Sequence, residues 1–163
     1  MTKQKTWWLS GAALVTVAAA VGITLWADAG GSSAAVDSVS LRPRACLVTR
    51  TADPLNAALI TATWSALQRA ARADRVIAQR IPVPSAATTV ALPYLNGAVS
   101  QHCRTVFAVG APLGPALDSV ARGQGQTRFV LVGAQSPDSD VVSVTGLTGA
   151  RLASEITSLL PPG

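Results

Sequence analysis

The chain has few of the side chains that carry acid–base, nucleophilic or metal chemistry. It contains one histidine, His102, two cysteines, and eight aspartates and glutamates in all. Nucleophilic catalysis needs a nucleophile, a base and an orienting group, and a metal site needs three or four ligands. The sequence therefore predicts no catalytic residue, no metal site, no cofactor and no enzymatic activity.

Three motifs typical of phosphate and acyl chemistry are also missing. The sequence has no G-x-S-x-G serine elbow, no G-x-x-x-x-G-K-[ST] phosphate loop, and no G-x-G-x-x-G after its first predicted strand. The loop at that place reads TRTAD at residues 49–53. A hydrolase serine and a nucleotide-phosphate loop are therefore not predicted.

Charged residues are scarce and unevenly distributed. Only 13% of residues are charged, and the formal net charge is +5. Lysine occurs only at Lys3 and Lys5, and the eleven arginines that follow are spread along the sequence instead of forming one basic stretch. Because nucleic-acid binding requires clustered basic residues, we predict no nucleic-acid partner.

Residues 7–27 form the one long uncharged apolar run, WWLSGAALVTVAAAVGITLWA. A helix of about 20 residues crosses the hydrocarbon core of a bilayer. The two lysines precede the run and tryptophans stand at both its ends, so its amino end is expected in the cytoplasm. The alternative is a signal peptide cleaved after Ala29, since Ala27-Asp28-Ala29 has small-x-small spacing. In both cases the remainder is exported.

This interpretation divides the chain into four parts. Residues 1–6 are a cytoplasmic basic tip, and residues 7–27 are the transmembrane anchor or signal segment, with the anchor favoured because the run exceeds the usual signal length. Residues 28–43 are a flexible linker containing Gly, Ser and Ala. Residues 44–163 are one extracytoplasmic domain. Localisation is accordingly the cell membrane, or the exterior if the segment is cleaved.

The domain alternates strand and helix patterns. Strands are predicted at residues 45–49, 75–81, 105–110, 128–133 and 141–145, and helices at 54–74, 88–103 (main body from Pro93), 112–122 and 148–160. Such alternation gives right-handed crossovers and a parallel sheet covered on both faces. We predict an α/β, three-layer domain with a five-stranded sheet in the order 2-1-3-4-5.

The two cysteines lie near the amino ends of strands one and three, which are neighbours in this order. In an oxidising compartment they are predicted to form a Cys46–Cys103 disulfide, and the alternative is two buried free thiols.

Ligands of such sheets bind beyond the carboxyl ends of the strands where the strand order reverses, here between strands one and three. Asp53 precedes Pro54 and so has two interpretations, a helix N-cap and a ligand contact. Arg50 is either an exposed loop residue or a partner for an anion, and Gly110 either a tight turn or a close approach to ligand. The candidate ligand-side residues from these loops are Thr49, Arg50, Asp53, Gly110, Leu113 and Gln135.

Several segments resemble the basic membrane protein family of extracytoplasmic substrate-binding proteins. The segments are DPLN (53–56), WSALQRA (64–70), VSQHCRTVFAVG (99–110), ALDSVA (116–121), RFVLV (128–132) and VTGLT (144–148). The resemblance implies the periplasmic-binding-protein-like fold, of which this chain has only the first of two lobes. It also implies ligand-side roles for Asp53 and Asn56, although Leu55 replaces the family's aromatic residue.

The family serves ABC importers, and several members bind nucleosides. By resemblance, the chain is expected to be a membrane-anchored solute-binding-like domain, accessory to an importer of nucleosides or similar small solutes. Its partners would be the lipid bilayer through the N-terminal helix, a small solute, and a membrane transporter or a second lobe-bearing protein. The alternative is a degenerate, non-binding domain that contacts another envelope protein.

Overall fold

A computed structural model describes residues 42–161, which form five strands and four helices. In chain order these are β1 Arg44–Arg50, α1 Ala57–Arg72, β2 Ile77–Val83, α2 Thr88–Ser100, β3 Cys103–Val109, α3 Gly114–Ala121, β4 Arg128–Val132, β5 Val141–Val144 and α4 Gly149–Ser158. Short 3₁₀ turns, Pro54–Asn56 and Ala111–Leu113, precede α1 and α3. The predicted tip, membrane segment and most of the linker lie outside the described residues.

All four strand pairs are parallel, and the sheet order is β2-β1-β3-β4-β5. The predicted fold class and strand order are therefore confirmed. Side chains alternate between the two faces along each strand, so β3 sends Val106 and Ala108 into one core and Phe107 and Val109 into the other. Helices α2 and α3 cover the first face, and α1 and α4 cover the second.

Several predicted boundaries were wrong, two of them at prolines. Helix α2 ends at Ser100 and β3 begins at Cys103, where the sequence predicted a helix up to residue 103 and a strand from residue 105. Strand β2 runs through Pro82 to Val83, because it lies at the sheet edge, where a missing N–H need not break the ladder. Helix α2 is continuous from Thr88, with Pro93 inside it instead of at the start of its main body. Pro93 lies at the sixth position of the helix on its exposed side.

Cys46 and Cys103 form a disulfide, with Cα atoms 5.9 Å apart. The bond joins neighbouring strands β1 and β3 near their amino ends, where Arg44 pairs with Cys103 in the sheet register. Both sulfur-bearing side chains are buried in the core beneath α2 and α3. The predicted pairing is therefore present, and it lies at the opposite end of the sheet from the ligand-side loops.

None of the helices within residues 42–161 is both long enough and apolar enough to cross a bilayer.

Candidate functional site

Arg50 and Asp53 form an ion pair at the carboxyl end of β1. The guanidinium contacts both carboxylate oxygens, with Nε 3.1 Å from Oδ2 and Nη2 2.9 Å from Oδ1. The Asp53 side chain is 1% exposed, whereas that of Arg50 is 29% exposed. Parallel contacts of this kind fix the guanidinium and carboxylate planes relative to each other.

Asn56 contributes two further donors to the same carboxylate. Its backbone N–H donates to Asp53 Oδ1 at 3.3 Å, and its side-chain Nδ2 donates to Oδ2 at 2.9 Å. Asp53 is thus the N-cap of the turn Pro54–Asn56, which is one of the two roles that the sequence allowed for it. A carboxylate has about four acceptor sites, so Arg50 and Asn56 occupy the full capacity of Asp53.

These contacts determine the ionisation of Asp53. The hydrogen bond from Arg50 lowers the pKa of Asp53, and the donors of Asn56 lower it further, against the opposing effect of burial. The same hydrogen bond raises the pKa of Arg50. The pair is therefore ionised at neutral pH, and we name Arg50, Asp53 and Asn56 the cap cluster.

The cap cluster lies over the end of β3, at the place where the strand order reverses. Gly110, the residue after β3, has φ +96°, and a Cβ built on it would lie 2.6 Å from Asn56 Nδ2. Gly133, after β4, has φ +87°, and its Cβ would lie 2.7 Å from Leu59 Cδ1 of α1. Both glycines therefore let the start of α1 pack closely on the sheet end.

The remaining ligand-side candidates do not share one surface. Thr49 is completely buried and accepts a long hydrogen bond of 3.4 Å from Arg80 Nε on β2. Leu113 is completely buried in the core beneath α2 and α3. Gln135 is exposed in the loop after β4. The structure thus brings Arg50, Asp53, Asn56 and Gly110 together, whereas the side chains of Thr49 and Leu113 are buried next to that group and Gln135 is exposed in another loop.

Leu55 projects from the cap cluster into solvent. It is 90% exposed, the largest exposure among the large hydrophobic side chains of residues 42–161. It sits in the middle of the turn Pro54–Asn56, whose start is held by Asp53. The exposure of Leu55 could have been predicted from the sequence. An apolar residue directly after an Asp-Pro cap lies in the first turn of a helix, where no preceding turn covers its side chain.

A second polar cluster fixes the connection between β4 and β5, which has no helix. Ser136 Oγ donates to the buried Asp118 of α3 at 2.6 Å, and its backbone N–H donates to Ser143 Oγ at 2.8 Å. Asp138 accepts from the Asp140 N–H at 3.0 Å and from Arg122 Nε at 3.2 Å, and these donors lower its pKa. Sequence analysis did not detect this cluster, because its members are distant along the chain.

Two open depressions lie at the opposite, amino end of the sheet. One, of about 500 Å³, lies between α1 and α4 beside Arg69 and Arg75, and the other, of about 670 Å³, lies beside Arg104 and Arg128. Neither is lined by any of the seven ligand-side candidates. Within residues 42–161, no three His, Cys, Asp or Glu side chains are grouped as metal ligands.

No protein-family model matches the chain, and no curated protein matches its sequence. Among solved structures, it is similar to a fragment of a provisionally named lipoprotein from Peptoclostridium difficile 630. The TM-score is 0.58 and the sequence identity 13%, with 72% of this chain and 90% of that chain covered. This similarity shows a shared fold, and it gives no support for the basic membrane protein family in particular.

Proposed function

We propose that the chain is a membrane-anchored extracytoplasmic domain that contacts another envelope protein through the cap cluster and Leu55, without closing on a solute. This corresponds to the alternative of the two functions expected from the sequence. The observation that carries it is the saturation of Asp53, whose acceptor sites are all used by Arg50 and Asn56. A carboxylate in this state has no acceptor left for a solute hydroxyl or amine.

The disulfide supports an extracytoplasmic location for the domain. Structural disulfides form and persist in oxidising compartments and are rare in the cytosol. The lipoprotein name of the solved structure is consistent with that location for a domain of the same fold. Anchoring itself depends on the apolar run at residues 7–27, as argued from the sequence.

Leu55 supports a protein partner. An apolar side chain on an ordered backbone segment costs less backbone entropy on binding than one on a mobile segment, so it contributes more to affinity. The capped turn supplies an ordered backbone, because the N–H of Asn56 donates to Asp53 and so fixes the position from which the Leu55 side chain projects. The proposed contact is a pocket on the partner that receives Leu55, surrounded by polar contacts to the exposed part of Arg50.

Site-specific photocrosslinking in intact cells tests this proposal. A benzophenone amino acid replaces Leu55 in the full chain, and in a matched control it replaces Tyr94 of α2, which is 37% exposed. We expect a discrete protein adduct from position 55 and none from position 94, with loss of partner co-purification in Leu55→Ser. No adduct at 55, or the same adducts from both positions, would contradict the contact.

A second candidate function is binding of a small anionic solute, which the geometry of Arg50 favours. Arg50 lies at the reversal of strand order, and its guanidinium has five N–H donors of which two contact Asp53. The family resemblance implied a solute-binding role with nucleosides or similar small solutes, whereas the anionic solute follows from Arg50; accessory action with an importer would follow from either. A ligand-induced rise in melting temperature of the purified chain, screened with nucleosides, nucleotides, sugar acids and amino acids, distinguishes the two candidates. We expect no rise, and a rise abolished by Arg50→Gln would favour the solute.

A further inference from the structure

Arginines that are distant in sequence meet at the amino end of the sheet. Arg44 and Arg128 are the first residues of β1 and β4, Arg104 is the second residue of β3, and Arg75 lies two residues before β2. The parallel register aligns these positions, since Arg44 pairs with Ile77 and Cys103, and Arg128 pairs with Thr105. Arg69 and Arg72 join them from the last turn of α1, which ends at the same side. We name these six residues the basic pole.

Carboxylates offset only part of this charge. Arg42 pairs with Asp74 at 2.6 Å, and Arg122 pairs with Asp138 at 3.2 Å, so these two arginines are not counted in the pole. Among residues 42–161, none of the six pole arginines forms a salt bridge. Of the other acidic side chains, Asp140 borders the larger depression beside Arg104 and Arg128, and Glu155 lies on α4. The pole therefore carries a clear excess of positive charge.

Support of helix ends explains three of the six arginines. Basic side chains near a helix C-terminus interact favourably with its dipole and can donate to its last carbonyls. Arg69 and Arg72 lie in the last turn of α1. Arg128 Nη1 donates to the carbonyl oxygen of Leu159, the C-cap residue of α4, at 3.0 Å.

The other three arginines have no such role. Arg44 and Arg75 form none of the side-chain hydrogen bonds described for residues 42–161. Arg104 Nη1 donates to the side-chain oxygen of Gln126 at 3.0 Å, which leaves its charge unbalanced. Half of the pole is therefore not explained by the stability of neighbouring elements.

The pole has open depressions between its arginines. Arg69 and Arg75 border the depression of about 500 Å³, and Arg104 and Arg128 border that of about 670 Å³. Ser158 of α4 borders both, so the two adjoin each other. Each depression thus offers a pair of guanidinium groups, which suit phosphate oxygens because they donate in a planar fork.

We infer that the basic pole binds anionic phospholipid headgroups and holds the domain with the amino end of its sheet against the bilayer. This inference rests on the proposed anchoring. Arg42, the first described residue, lies at this end next to β1, so the chain leading from the apolar run joins the domain here. Residues 28–41 span at most about 50 Å when fully extended, which keeps the domain near the membrane surface. The anionic surface of the bilayer is thus the negatively charged partner that stays close to the basic pole.

Hydrogen exchange of the full chain in nanodiscs tests the inference. The chain is inserted into nanodiscs of phosphatidylcholine alone and of phosphatidylcholine with phosphatidylglycerol, and amide exchange is followed by mass spectrometry. We expect several-fold slower exchange in peptides from residues 101–106 and 124–130 with phosphatidylglycerol, and no change in residues 51–58. High salt should remove the difference, because it screens charges beyond a few ångströms.

Two variants that each remove two positive charges compare the pole with the rest of the domain. Arg69→Gln/Arg75→Gln removes two pole arginines, whereas Arg80→Gln/Arg151→Gln removes two exposed arginines from elsewhere on the domain. The pole variant should lose most of the lipid-dependent protection and the control should retain it. Equal exchange in both lipids, or equal loss in both variants, would overturn the inference.

Two further outcomes can be distinguished from failure of lipid binding by the pole. If added RNA protects the pole in phosphatidylcholine nanodiscs while phosphatidylglycerol does not, nucleic acid replaces lipid as the partner and the inference fails. A chain that does not enter nanodiscs contradicts the anchoring and not the pole, whose protection is then measured with phosphatidylglycerol vesicles added to the same chain. Loss of crosslinking at Leu55 affects neither result.

Discussion

Asn56 lies directly over Gly110, so close that a Cβ at position 110 would be 2.6 Å from its Nδ2 atom. Asn56 thus occupies space beside the end of β3, where the strand order reverses and ligands of such sheets bind. Asn56 in turn donates to Asp53, which is paired with Arg50. Three of the seven ligand-side candidates therefore bind one another.

Gly110→Ala should destabilise the domain. The substitution meets Asn56 and places a Cβ on a residue with φ +96°, so we expect a loss of about 1–3 kcal/mol in the free energy of unfolding, measured with urea. Gly97→Ala is the matched control, because a Cβ at this position of α2 would meet no atom within 4 Å and alanine favours the helix. Adding Asn56→Ala to Gly110→Ala should recover the part of the lost unfolding free energy that is due to the clash with Asn56. Full stability of Gly110→Ala would contradict the close packing.

The disulfide should account for a large share of the stability. Cys46 and Cys103 are separated by 57 residues, and closing a loop of that length stabilises a fold by about 4 kcal/mol through the entropy of the unfolded chain. Replacing both cysteines by alanine should lower the free energy of unfolding by that order. Reductant should destabilise the native chain to the same level and leave the double variant unchanged. A loss under about 1 kcal/mol would show that the bond adds little.

Acid should weaken the cap cluster. The pKa of Asp53 is lower in the folded chain than in the unfolded one, so its ionised form stabilises the fold above the unfolded value, near 4. That stabilisation is lost as the pH falls through the folded pKa. Asp53→Asn keeps a capping oxygen but loses the charge that binds Arg50, so it should be about 1–3 kcal/mol less stable at pH 7, and its difference from the native chain should shrink below about pH 4.

Urea unfolding at several pH values measures both effects. Asp140→Asn serves as the control, because Asp140 is exposed and its side chain forms none of the hydrogen bonds described for residues 42–161. The control should stay within about 0.5 kcal/mol of the native chain at pH 7. A constant difference for Asp53→Asn across the whole pH range would contradict the assigned role of its charge.

Ser136→Ala should loosen the connection between β4 and β5. The substitution removes the donor from Asp118, leaving a buried carboxylate without that hydrogen bond, which costs about 1–3 kcal/mol. Ser139→Ala in the same loop removes an exposed hydroxyl and should be nearly neutral. Hydrogen exchange should be faster at residues 134–140 in the first variant alone. Equal exchange in both variants would show that Asp118 does not hold the loop.

The sequence by itself determined the secondary structure order and the sheet. Central strands such as β3 contain continuous apolar runs, and Pro54 and the glycines at strand ends mark the turns, so alternation of strand and helix led to the observed order. The disulfide followed from that order, because neighbouring parallel strands bring Cys46 and Cys103 to the same end. The boundaries at Pro82 and Pro93 were misjudged, because a proline is tolerated at a sheet edge and within an exposed helix turn.

Tertiary structure alone decided what the candidate site residues contact. The sequence placed Asp53 and Asn56 at the reversal of strand order, but their mutual hydrogen bonds and the approach of Asn56 to Gly110 depend on how α1 packs on the sheet end. Arginines scattered along the sequence became one basic pole, because the starts of parallel strands meet at a single edge. Sequence spacing specifies elements, whereas the packing of those elements determines which side chains meet.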